Sequence, residues 1–199
     1  MTHVTIQRFS GAQLGAYLDA VARLRIAVFR DFPYLYDGTM EYERNYLRTY
    51  LDCPQAVVVV AFDGDEVVGC STAIPMAFEE SAFQQPFIDN GYDPQRIFYC
   101  AESVLRPEYR GLGIGVRFFE EREAHANALG GFDWYAFCSV VRPVDHPLRP
   151  PGYEPLDCFW LKRGYVKHPE LGATYNWKDI DQPRETSKRL EFWLKSRRR

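Results

Sequence analysis

The chain has 199 residues, 46% of them apolar and 16% aromatic, which suits one domain with a sizeable core and excludes a disordered polymer. Its formal net charge of −3 excludes a global basic field for nucleic acid. Its five cysteines are odd in number and form no C-x-x-C pair, which argues against a disulfide scaffold and for a reducing, cytoplasmic setting. The start, Met1-Thr2-His3-Val4, lacks the pattern of a secretion signal, and no apolar run approaches the roughly 20 residues of a membrane helix. The expectation is a soluble protein with neither a membrane nor a nucleic-acid partner.

Val4 to Phe9 alternates like a short strand. Ser10 caps a predicted helix over 11–29, where Leu14, Leu18, Val21, Leu24 and Val28 recur at helical spacing. An aromatic loop over 32–38 closes on a turn signal, and a second helix runs from about 40 to 51 and ends at Asp52-Cys53-Pro54. Residues 56–62 are almost wholly apolar and β-branched, as in a buried strand; Asp63-Gly64-Asp65-Glu66 turns the chain, and 66–74 returns. The stretch 76–95 reads as an excursion with a short helix. A strand follows over 97–105, then a helix over 113–129 that Gly130-Gly131 stops, then a strand over 132–141. The proline-rich loop 142–155 is too long for an ordinary turn. A short helix over 156–163 and late strands at Tyr165 and 174–178 complete the order. The pattern predicts one mixed α/β (α+β) domain over 1–180, with helices packed on a mostly antiparallel sheet. Residues 181–199 read as a C-terminal extension whose basic tail, from Lys195, frays into solvent.

The most informative stretch is Ser103-Val104-Leu105-Arg106-Pro107-Glu108-Tyr109-Arg110-Gly111-Leu112-Gly113-Ile114-Gly115. A strand ends, and alternating glycines open a helix. Glycine admits a ligand close to the backbone, and the first N–H groups of a helix lack internal partners and favour an anion. Arg110 adds a positive charge beside this nest. The pattern R-x-x-G-x-G is neither a P-loop, since no Lys-Ser or Lys-Thr follows, nor a dinucleotide fingerprint, whose third glycine falls on Val116 or Phe118. The physics reads pyrophosphate site.

Arg110 to Gly115 resembles the coenzyme A pyrophosphate motif of the GNAT superfamily of N-acetyltransferases, R/Q-x-x-G-x-G/A, and Leu105-Arg106-Pro107-Glu108-Tyr109 is similar to its V-x-P-x-[YF] lead-in. The element order matches over nearly the whole chain. The resemblance implies an acyl-CoA N-acyltransferase fold, acetyl-CoA as co-substrate, and acetyl transfer to a primary amine of a small molecule or peptide. It implies backbone contacts to the thioester arm from Ser103, Val104 and Leu105 beside a β-bulge. The diphosphate then lies on Arg110, Gly111, Leu112, Gly113, Ile114 and Gly115, with Phe159 and Trp160 beside the coenzyme. A homodimer is an assembly that this family allows. Arg142-Pro143-x-x-His146-Pro147 and Tyr153-x-Pro155-Leu156-Asp157-x-Phe159-Trp160 also resemble a GNAT subgroup sometimes fused to carbon-nitrogen hydrolase domains.

Acyl transfer to an amine needs a base for the ammonium, stabilisation of the developing oxyanion, and departure of the thiolate. Glu102, a carboxylate in the apolar strand Phe98-Tyr99-Cys100-Ala101, is the leading base, with partial burial expected to raise its pKa. His146 is a second candidate base or substrate ligand. Trp160 stands where many GNAT enzymes carry a tyrosine general acid, and an indole N–H is no practical acid. Tyr153 and Cys138 are therefore the candidate proton donors, unless the thiolate leaves unaided. Arg142 and Arg149 are candidate anchors for an acceptor carboxylate, and Tyr34 and Tyr36 candidate pocket walls. Two other readings stay open: a non-catalytic acyl-CoA sensor, and a thiol enzyme using Cys138, His146 and Asp145. The histidines His3, His125, His146 and His168 have no metal-ligand spacing, so no metal is expected.

Overall fold

The computed structural model describes residues 4–197, and His3 lies outside them. A seven-stranded sheet in the order β1-β2-β3-β4-β5-β7-β6 forms the frame. Its strands are β1 (Val4–Phe9), β2 (Val57–Asp63), β3 (Glu66–Pro75), β4 (Ile97–Leu105), β5 (Trp134–Val140), β6 (Val166–Lys178) and β7 (Glu185–Ser196). All neighbours run antiparallel except β4 and β5.

β2 is buried from Val57 to Phe62, and β3 from Val67 to Pro75, as their apolar runs require for strands covered on both faces. One face is covered by α1 (Leu18–Phe29), α2 (Met40–Asp52) and α3 (Ser81–Asp89), around Leu14, Val21, Leu47, Tyr50 and Phe87. The other is covered by α4 (Ile114–Leu129) and α5 (Asp157–Leu161), around Phe118, Phe119, Phe137, Tyr165 and Trp193.

Two differences from the sequence expectations stand out. Residues 11–17 form a 3-10 segment rather than the start of an α-helix; Gly11 there has φ +50°. Residues 76–95 contain the expected short helix, α3. The second difference concerns the stretch beyond 180. Residues 185–196, expected outside the domain, form β7 between β5 and β6. Leu190, Phe192 and Leu194 of β7 face the α1 side while Trp193 faces the α4 side, so the strand's alternation fills both cores. Lys195, expected in a solvated tail, pairs with Glu123 at 2.6 Å. Among the described residues no helix is long and apolar enough to cross a membrane.

Candidate active site

β4 carries the central geometry. It pairs with β5 only at Ile97–Trp134, Phe98–Tyr135 and Tyr99–Ala136. Beyond Tyr99 the two strands part, and residues 102–105 have a ladder partner only on the β3 side. On that side the register shifts: Thr72 faces Glu102 but Ile74 faces Tyr99, so Cys100 and Ala101 stand opposite Ala73 alone. This bulge breaks the alternation. Tyr99, Ala101 and Glu102 all line one cavity on the α1 face, whereas Cys100 packs on the α4 face. Arg122 of α4, buried, donates from Nη1 to the Glu102 carbonyl at 3.2 Å and holds the bulge from behind.

The free edge of β4 leads through Leu105 to the glycine turn. Gly111 (φ +77°) and Gly113 (φ +81°) both occupy the left-handed region, and an added Cβ would meet no heavy atom within 4 Å at either. The first bonds of α4 are those of the Val116 and Arg117 amides to the Gly113 carbonyl, at 3.1 and 3.2 Å. The preceding amides stand where a helix start leaves its donors without intrahelical partners. Arg110 is exposed, with Nε donating to the Leu105 carbonyl at 3.4 Å. Gly115 differs: its added Cβ would meet Phe159 at an ordinary 3.5 Å. Ser103 is exposed, its hydroxyl 2.8 Å from that of Ser71. Trp160 packs on Phe137 and Trp193, with ring centroids 5.1 and 5.0 Å apart. Left-handed glycines with open space beside them, continuous with an unpaired strand edge, fit a phosphorylated ligand with an extended arm.

The cavity beside β4 has a volume of about 130 Å³. Tyr34 and Tyr36 line it, as do Tyr42, Tyr46, Tyr99 and Tyr175. Its charged members are Arg25, Glu43, Glu79, Glu80 and Glu102. Glu102 is not a carboxylate set apart by burial, as the sequence suggests. Arg25 Nη1 donates to one of its oxygens, and the Tyr46 hydroxyl donates to the other at 2.8 Å. Arg25 Nε also donates to Glu43, so one guanidinium joins two carboxylates.

Among the described residues Glu79 has no such cation. Burial pushes its carboxyl up to about 7, the Glu80 charge adds to this, and a backbone hydrogen bond from Glu80 opposes it. That value suits proton exchange at neutral pH. Tyr99 sits at the parting of the strands with its hydroxyl 3.1 Å from Cys138 Sγ, and burial raises its pKa, with Cys138 and Glu79 reinforcing the shift.

Of the other sequence candidates, Cys138 also lines the cavity, whereas Arg142, His146, Arg149 and Tyr153 lie apart from its lining. Arg142 is 9% exposed in its side chain and makes four hydrogen bonds with its five N–H donors. Nη1 and Nη2 bind Asp179 at 2.7 and 3.0 Å, Nε binds the Pro33 carbonyl, and Nη2 also binds the Tyr34 carbonyl, both at 2.7 Å. It is a staple for the aromatic loop rather than a free carboxylate anchor. That loop holds Leu35, a non-glycine residue at φ +54°, between the two tyrosines that wall the cavity. His146, Arg149 and Tyr153 gather on Phe32: the His146 and Tyr153 rings lie 5.8 and 4.7 Å from it, and Arg149 Nη2 donates to the Tyr153 carbonyl at 3.1 Å. Tyr153 is near enough to Tyr34 to raise that phenol's pKa, after burial and Cys138.

The thiol-enzyme reading fails. Burial pushes the Cys138 thiol up to about 12, its partner is Tyr99, and the His146 Nδ1 accepts from the Leu148 amide at 3.2 Å. Among the described residues no group of three or more His, Cys, Asp or Glu side chains is set to hold a metal ion.

Sequence reasoning missed Arg25, Glu43 and Glu79. Two had a signal. Arg25 falls between Val21 and Val28 on the apolar stripe of α1, and Glu43 stands one turn before Leu47 on that of α2. A charge on a buried stripe calls for a partner.

Comparison with known proteins agrees with this geometry. The model of the acetyltransferase (GNAT) family matches residues 21–147, more than half of the chain. No curated protein matches. Among solved structures, an acetyltransferase from Thermus thermophilus superposes with a TM-score of 0.57 at 15% identity, covering 97% of this chain and 96% of that one. NAA60 of Arabidopsis thaliana, solved with a bisubstrate analogue, gives 0.62 at 13% identity, covering 96% and 98%. YncA of Salmonella typhimurium, solved with acetyl-CoA, gives 0.59 at 10% identity, covering 97% and 93%. These likenesses carry the fold, and the matched family carries the chemistry: the chain belongs to the acetyltransferase (GNAT) family, whose members transfer an acetyl group from acetyl-CoA.

Proposed function

We propose that this acetyltransferase acts on a primary amine of a small acceptor held in the Arg25–Glu102 cavity. The observation that carries the reading is the course of β4: one strand joins that cavity, through Ala101 and Glu102, to the left-handed glycines before α4. The amides of Gly111 to Gly115, with Arg110, hold the diphosphate of the co-substrate. The free edge from Ser103 to Leu105 orders its arm, and Phe159 backs the turn at Gly115. The thioester supplies an electrophilic acyl carbon and a leaving sulfur.

Glu79 removes the proton from the acceptor ammonium, since it lines the cavity and titrates near neutrality. Glu102 is a positioning group: with Arg25 and Tyr46 it fixes the wall against which the amine rests. The neutral nitrogen attacks the acyl carbon, the carbon–sulfur bond breaks, and its electron pair stays on sulfur. Tyr153, packed on Phe32 of the aromatic loop and close enough to Tyr34 to influence its pKa, returns a proton to that sulfur.

The test is thiol release from acetyl-CoA against a panel of amines, with product confirmed by mass spectrometry. Amine-dependent release is expected. Tight acetyl-CoA binding without release on any amine would instead mark a sensing module.

A further inference from the structure

The cavity holds more negative charge than placing one ammonium requires. Four carboxylates, Glu43, Glu79, Glu80 and Glu102, face it against the single guanidinium of Arg25. Both Glu102 oxygens have donors within the protein. Glu43 does not match this. It is fully buried, Arg25 takes its Oε2, and its Oε1 has no hydrogen-bond partner. The Tyr36 phenol stands beside this carboxylate, where burial first, then the Glu43 charge and a side-chain contact of hydrogen-bond type to Glu43, raise the phenol's pKa; that contact falls short of full hydrogen-bond geometry and leaves Oε1 unsatisfied.

A buried carboxylate oxygen without a donor is costly, and at the wall of a cavity it marks a place for one. The surplus of negative charge in the lining favours a cation as that donor. Aromatic faces flank the place: Tyr36 and Tyr42 lie 6.3 Å apart edge to face, and the Tyr42 hydroxyl is 2.9 Å from that of Tyr175. Such walls suit ammonium groups. Because Arg25 contacts Glu43 and Glu102 through different nitrogens, the two anionic positions are separate. The volume of about 130 Å³ is close to the roughly 150 Å³ of a cavity that holds benzene, room for about six heavy atoms.

We propose that the acceptor is a primary amine bearing a second cationic group, of the diamine or polyamine class. Its second cation sits at Glu43 Oε1 beside Tyr36 and Tyr42, while the reacting nitrogen lies near Glu79 and Glu102. This deepens the transfer reading and rests on it. A zwitterionic acceptor would set its carboxylate against Glu43, with no free guanidinium to receive it.

The experiment compares kcat/KM, by thiol release from acetyl-CoA, for 1,4-diaminobutane and its three- to six-carbon homologues, for n-butylamine and for 4-aminobutanoate. A diamine is expected to exceed n-butylamine by roughly tenfold or more, the factor one charge-assisted hydrogen bond supplies, and 4-aminobutanoate is expected to be the poorest. Glu43→Gln is expected to raise the diamine KM by about tenfold. Should that variant fold poorly, Glu80→Gln, at an exposed position of the same cavity, is expected to lower the diamine preference by a smaller factor. Equal or faster turnover of n-butylamine or 4-aminobutanoate would overturn the second-cation site and leave amine acetylation standing. No amine-dependent release with any of these acceptors would overturn both.

Discussion

Gly113 and Gly115 stand two residues apart at the entry of α4, yet only Gly113 has a backbone that demands glycine. Gly113 sits at φ +81° in open space, and Gly115 is helical, with Phe159 3.5 Å from where its Cβ would lie. The motif position that tolerates alanine in the resembled family is thus the one with room for it here.

Gly113→Ala therefore forces an L-residue into the left-handed region, at about 1–2 kcal/mol. It is expected to lower the melting temperature and weaken acetyl-CoA binding by roughly tenfold or more, as the nest loses its shape. Gly115→Ala gains helix propensity and is expected to bind as the parent does. Calorimetric titration of both variants with acetyl-CoA separates the two.

Glu79 sets a pH dependence. With its carboxyl raised from 4.5 to about 7, kcat/KM is expected to climb as pH passes through about 7 and Glu79 ionises. The stability sign is opposite: the folded chain holds this proton more tightly, so the stabilisation is full below about 4.5 and is lost as pH rises through about 7. Glu79→Gln is expected to lower kcat by about 10²–10⁴ and flatten the rate profile, without lowering the melting temperature at neutral pH. A pH–rate series and thermal melts check both.

Glu102 is expected to behave differently. Glu102→Gln leaves Arg25 with one carboxylate and disturbs a nearly buried pair, which costs on the order of 3 kcal/mol. Activity and stability should fall together, and the remaining activity should keep the wild-type pH profile.

Arg142→Ala removes one of the two cations that hold Asp179, leaving Lys188 at 3.1 Å, together with two carbonyl contacts to the aromatic loop, which destabilises the fold by roughly 1–3 kcal/mol. No loss selective for acceptors bearing a carboxylate is expected. Comparison of KM for amines with and without a carboxylate, below the melting range, tests this.

Tyr153→Phe keeps the ring on Phe32 and removes the hydroxyl. Its kcat should fall at unchanged acetyl-CoA affinity, and a leaving thiol of lower pKa should restore part of the loss.

The frame was legible because its signals are local. β2 and β3 announce themselves by apolar β-branched runs, α4 by glycines before and after it, and the free edge of β4 follows from the motif that comes after it. β7 was legible in principle, since Leu190, Phe192 and Leu194 alternate, but its place between β5 and β6 depends on pairing distant in sequence. The site was less legible. Glu102 stands out in its strand, yet its meaning changes once Arg25 and Tyr46, 77 and 56 residues away, reach it. Arg142 looks like a free cation until Asp179 arrives. Glu79 owes its character to burial, which no spacing encodes.

Amide hydrogen exchange with and without acetyl-CoA tests the central claim most directly. Saturating acetyl-CoA is expected to slow exchange at Gly111 to Gly115 and along Ser103 to Leu105, while the outer strand β1 stays unchanged. Saturated binding with those amides exchanging as fast as in the free protein would contradict the account.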